Sequence, residues 1–172
     1  DFDGTGANNI YAIADRGKWQ GCRLMRYNGI SWSTAYSASK SGAPMDLAVT
    51  GANEGHFIFL NSGGSTATST LYRFSGGSAT EKLTYDGALL GLASSARGLH
   101  VLGHDNSAGR YKKFVRGTWN GTSWDVAETA IDIDVGVSCG LRFTGTVVDA
   151  NCVCAMAGEH YLCAVNNQWD AR

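Results

Sequence analysis

The first nine residues, Asp1-Phe2-Asp3-Gly4-Thr5-Gly6-Ala7-Asn8-Asn9, set oxygen donors at every second position: Asp1, Asp3, Thr5, the Ala7 carbonyl and Asn9. Calcium takes six to eight oxygen ligands at about 2.3–2.6 Å, from carboxylates, carbonyls and water. A tight glycine-containing turn can bring alternate residues onto one such ion. Only two of these five donors are carboxylates, so weak affinity is expected. The competing reading is a glycine-rich turn in which Asp and Asn bond the local backbone.

A second set of residues suits ligand recognition by stacking. Asn28-Gly29 and Asn120-Gly121 are strong hairpin signals, because Asn-Gly tolerates the positive φ of a tight turn. Trp32, Trp119, Trp124 and Trp169 stand beside such turns. A Trp at a rim can stack on the apolar face of a sugar ring while neighbouring Asn, Ser and Arg bond its hydroxyls. The candidate ligand contacts are Trp19, Tyr27, Trp32, Trp119 and Asn120. The competing role for a recurring Trp is packing between repeat units, expected above all of Trp124 and Trp169. Trp19, in Arg16-Gly17-Lys18-Trp19-Gln20, shows no packing role and is the first candidate for an exposed aromatic.

Catalytic patterns are missing. The four histidines, His56, His100, His104 and His160, are spread over three repeats and are expected to be structural. No G-x-S-x-G elbow, phosphate loop or dinucleotide glycine pattern occurs. Asp15, Asp46, Asp105 and Glu159 could supply a glycosidase acid pair only at a suitable separation, which spacing alone does not give. No catalytic residue is assigned. Of five cysteines, Cys139, Cys152, Cys154 and Cys163 lie in the last quarter, and Cys22 stands apart. Cys154 and Cys163 are expected opposite one another across a hairpin, as a disulfide or as buried thiols. A Cys139–Cys152 bridge is an alternative. Paired zinc knuckles are lacking.

What must position these residues is a phrase repeated four times: an apolar strand, a polar turn, a second strand, then a turn often followed by Trp. The copies begin at Asn9-Ile10-Tyr11, His56-Phe57-Ile58, Leu99-His100-Val101 and Cys152-Val153-Cys154. A repeat of roughly 40–50 residues marks arrays and propellers. Short apolar segments such as Met45–Val49, Leu89–Ala93 and Cys139–Phe143 precede the main strand of their repeats, and more polar segments such as Glu81–Tyr85 follow. The expected fold is all-β: one domain, a propeller-like array of about four antiparallel blades, with units near 1–40, 41–86, 87–130 and 131–172. A β-sandwich is the alternative.

The stretch Asp1–Ala14, an acidic Gly-containing loop running into an apolar strand, resembles the FG-GAP (VCBS-type) propeller repeat. The likeness extends to about residue 32 and is absent from the later units. That resemblance implies calcium-binding blades and a place in surface or secreted proteins.

Composition bounds the partners. Net charge is -1 and only 17% of residues are charged, so nothing favours nucleic acid or an anionic membrane. No apolar run is long enough to span a bilayer. The chain opens on Asp1 rather than Met, which points to processing or a longer parent. The expected role is a binding module, outside a cell or at its surface, recognising glycan or protein through blade-rim loops. A structural subunit of a fibre, virion or surface assembly, self-associating through its terminal edges, is the alternative. A glycan-active enzyme comes third.

Overall fold

The computed structural model describes residues 1–15, 22–38, 42–61, 66–95, 98–105, 113–130, 145–149, 152–157, 160–165 and 168–171. All regular structure among them is strand, arranged as four four-stranded antiparallel sheets, each an up-and-down meander. The first sheet is β1 (Phe2–Gly6), β2 (Asn9–Asp15), β3 (Cys22–Tyr27) and β4 (Trp32–Ala38). The second is β5 (Ala43–Gly51), β6 (Glu54–Asn61), β7 (Thr68–Ser75) and β8 (Ser78–Tyr85). The third is β9 (Gly87–Ser95), β10 (Gly98–Asp105), β11 (Lys113–Trp119) and β12 (Trp124–Ala130). The fourth is β13 (Gly145–Asp149), β14 (Cys152–Ala157), β15 (His160–Val165) and β16 (Gln168–Ala171). Each sheet thus coincides with one copy of the repeated phrase. Among the described residues no helix is long and apolar enough to cross a membrane.

The chain divides into two compact units, Asp1–Asp86 and Gly87–Arg172. In the first, the two sheets pack face to face. Strand alternation puts Tyr11, Ile13, Cys22 and Leu24 on one face of the first sheet. They meet Leu47, Val49, Phe57, Phe59, Tyr72 and Phe74 of the second in one core cluster. Aromatic rings fill the space between. Phe57 stacks on Tyr72 at 5.0 Å, Tyr11 meets Phe74 at 4.8 Å, and Tyr36 reaches Phe57 at 6.0 Å. Gly55 makes room for this layer: it is the register partner of Phe74, and a Cβ there would strike the Phe74 ring and the Ala48 carbonyl. The opposite face of the second sheet is buried too, with Ile58 and Leu71 at 0% exposure and His56 at 1%. The outer face of the first sheet is not, and Phe2 there is 75% exposed.

In the second unit the third sheet repeats the two-sided pattern. Val101 and Leu102 are chain neighbours on opposite faces, and both are wholly buried. The Trp124 ring lies against the bare backbone of Gly117, where a Cβ would also meet Val101. In the fourth sheet, Cys154 and Cys163 are register partners on β14 and β15.

Candidate functional site

In the first unit, one row of inward-facing residues crosses all four strands of the first sheet. Asp3 pairs with Tyr11, Tyr11 with Arg26, and Arg26 with Ser33. Directly opposed residues share a face, so this polar row borders the apolar core at the end of the sheet where its turns lie. The turns of the second sheet meet it there. Asp3 Oδ2 accepts from the Val49 N–H at 2.7 Å, and Asn9 Nδ2 donates to the Gly51 carbonyl at 3.2 Å. The Tyr11 hydroxyl donates to Asn53 Oδ1 at 3.4 Å. The two turns of the second sheet are tied together by Gly76 N–H donating to the Asn53 carbonyl at 3.1 Å.

Between these parts lies a groove of about 480 Å³, lined by Tyr11, Arg26, Ser33, Thr34 and Asn53 and walled by Gly76–Gly77. The Arg26 guanidinium sits 5.9 Å from the Tyr11 ring centre, within cation–π range. Its Nε is buried without a hydrogen-bond partner. Burial holds the Tyr11 hydroxyl above the usual tyrosine range, and the nearby Arg26 charge offsets part of that rise. Among the described residues the groove therefore offers one cation, the Tyr11 and Ser33 hydroxyls and an amide, with no carboxylate in its lining.

The residues proposed as calcium ligands form a β-hairpin rather than a wrapped loop. Phe2–Gly6 is extended and turns at Ala7–Asn8 into β2. Alternate residues of a strand share a face but lie about 6.5 Å apart. Asp1 continues the ladder through backbone bonds with Ile13. Asp3 Oδ1 accepts from the Gly4 N–H at 2.8 Å, and its other oxygen holds Val49. Thr5 Oγ1 accepts from Asn9 Nδ2 at 2.8 Å. Among the described residues, no three His, Cys, Asp or Glu side chains gather as a metal site.

The aromatic candidates fall on two matched loops. Tyr27 pairs with Trp32 across Asn28–Ser31, and Trp119 with Trp124 across Asn120–Ser123. The ring pairs stand at 5.4 and 5.6 Å. These are four-residue hairpin loops. Asn28 and Asn120 open the loops, and only the glycines take positive φ, 96° at Gly29 and 99° at Gly121. Asn28 Oδ1 accepts from Ile30 and Ser31 N–H, and Asn120 Oδ1 from Thr122 and Ser123 N–H. Asn120 thus has a structural occupation. Trp32 is 49% exposed, whereas Trp124 is buried. Tyr27 and Trp32 follow and precede Arg26 and Ser33 in the chain, so they lie at the groove's end of the sheet on its other face. Trp19 lies outside the described residues.

The remaining candidates have local roles. His56 and His100 are buried, and His100 Nδ1 lies 3.3 Å from Thr118 Oγ1. Asp46 Oδ1 accepts from Leu47 N–H. Asp105 and Asp15 lie in strands whose side chains there are outside the description, as is Glu159 altogether. The residue that sequence reasoning missed is Arg26. Its signal was available: in Cys22-Arg23-Leu24-Met25-Arg26-Tyr27, alternation sets Arg26 on the face of Cys22 and Leu24, a charge at the end of an apolar stripe. No model of a known protein family matches this chain, and no curated protein matches it.

Proposed function

We propose that the chain is a glycan-binding module of a surface or secreted protein, built as a propeller-like array of four-stranded blades and reading its ligand at the rim where the turns lie. The observation that carries this reading is the groove at the turn end of the first unit. Its volume is within the range of small-ligand pockets, about 300–1,000 Å³, and hydroxyls, an amide and a guanidinium converge in it. That is a donor and acceptor set suited to sugar hydroxyls. The blade reading draws support from sheets buried on both faces. A two-sheet sandwich keeps one face of each sheet in water, whereas a blade between two others is covered on both.

A glycan array tests the function. Binding should be saturable and should weaken in Ser33→Ala, whose exposed side chain leaves the melting temperature nearly unchanged. An array without a hit ends the glycan reading. A second reading, a subunit of an assembly, is favoured by one observation: Phe2, Ile30 and Trp32 are large apolar side chains left 75%, 89% and 49% exposed in the first unit. Sedimentation over a concentration series separates the two, because only the assembly reading requires a mass that grows with concentration.

A further inference from the structure

Resting on that glycan-binding reading, we infer that the groove selects an acidic sugar, with Arg26 gripping the sugar's carboxylate while Ser33 and Asn53 bond its ring hydroxyls. Among the described residues that line the groove, Arg26 is the only charged one. Guanidinium stays protonated at every physiological pH and carries five donors in a planar fork. Here the fork makes no hydrogen bond or ion pair with the described residues, and its Nε is enclosed without a partner.

The carboxylates on the neighbouring elements are already engaged. Asp3 accepts from Gly4 and Val49, and Glu54 is bonded twice by Arg73. Neither forms an ion pair with Arg26, whose guanidinium lies over the Tyr11 ring. A positioned, uncompensated guanidinium prefers a planar oxyanion, which it meets through two parallel N–H···O bonds. The hydroxyls and amide beside it suit a polyhydroxylated body on that oxyanion. A bare anion would make no use of the Ser33 hydroxyl or of the Asn53 amide N–H groups beside it. A neutral sugar would leave the guanidinium partly unsatisfied, and unsatisfied polar groups are what make recognition selective.

The test compares methyl galacturonide with methyl galactoside, which differ only in carboxylate against hydroxymethyl, and with inorganic phosphate. Titrations are followed by N–H spectra of the whole chain, including guanidinium Nε–H signals. The uronide is expected to bind about tenfold or more tightly than the galactoside, as a charge-assisted pair contributes about 1.4 kcal/mol or more. It should shift the Arg26 Nε–H signal, and the preference should shrink as salt is raised. In Arg26→Gln the preference should vanish. Should that variant lose its fold, the Arg26 Nε–H signal of the parent protein decides: no shift at saturation overturns the proposal. Equal affinity for both sugars overturns the acidic selectivity and leaves the glycan reading standing. Phosphate displacing the uronide at equal concentration overturns the sugar component. Binding of neither sugar at millimolar concentration overturns both this proposal and the glycan reading of the groove.

Discussion

Asp3 shows how one residue can be claimed by two chemistries. As a sequence feature it is an acidic ligand near glycines; in the fold both its oxygens are bonded by backbone N–H groups, one of them across the sheet pair. Its loss should therefore be a stability effect. Asp3→Ala is expected to lower unfolding free energy by about 1.5–3 kcal/mol, the range for bonds to a charged acceptor, by the same amount in calcium and in chelator. Denaturant titration in both buffers checks this. His56 makes a prediction about pH. Burial first, then the Arg73 charge, lowers its pKa to about 4 from 6.5, with Glu54 opposing. Above pH 6.5 the imidazole is neutral in both states, so its contribution to stability does not change. As pH falls from 6.5 towards 4, only the unfolded chain takes the proton, and stability drops by about 3 kcal/mol in full. Melts of the parent and His56→Gln at pH 7.5 and pH 4.5 should show the larger loss in the parent; equal losses would assign the acid sensitivity to the carboxylates instead.

At the scale of elements, the strands were legible because short apolar runs bounded by turn residues are a local property of the sequence. Ile10 to Ala14, His56 to Leu60 and Thr70 to Phe74 announce themselves, and each lies within a strand. The hairpin loops were legible in place but not in form. Asn-Gly marks a turn, yet whether Asn stands first in a four-residue loop or inside a two-residue turn depends on the pairing of Tyr27 with Trp32, five residues apart. The groove was not legible, since Arg26, Asn53 and Gly76–Gly77 belong to separate hairpins and meet only once two sheets have packed. The loops carry their own expectation. Asn28→Ala and Asn120→Ala remove a side chain that accepts two backbone N–H groups, and each should cost about 1 kcal/mol. Gly29→Ala should cost about 1–2 kcal/mol from its left-handed φ, and more because the added Cβ would strike the Asn8 side chain. Denaturant midpoints of the three variants, ranked against the parent, check the order.

For the whole molecule, the informative contrast is between sheets with one dry face and sheets with two. Phe57 and Ile58 are adjacent on β6, point to opposite faces, and both have 0% exposure. Phe57 belongs to the aromatic layer against the first sheet. Ile58 looks the other way, alongside its register partner Leu71. In a sandwich the second of these faces would be wet, and truncating Ile58 there would cost little. In an array of blades both faces are core. Phe57→Ala should then cost about 3–5 kcal/mol and Ile58→Ala about 2–5 kcal/mol, the ranges for cavities left by buried side chains. Val101→Ala and Leu102→Ala make the same pair in the third sheet, again on opposite faces and again wholly buried. Chemical denaturation of the four variants reads the difference directly. Comparable losses within each pair favour blades covered on both sides. A loss confined to one member of each pair, with the other inside about 0.5 kcal/mol as for a surface site, would return the fold to a sandwich.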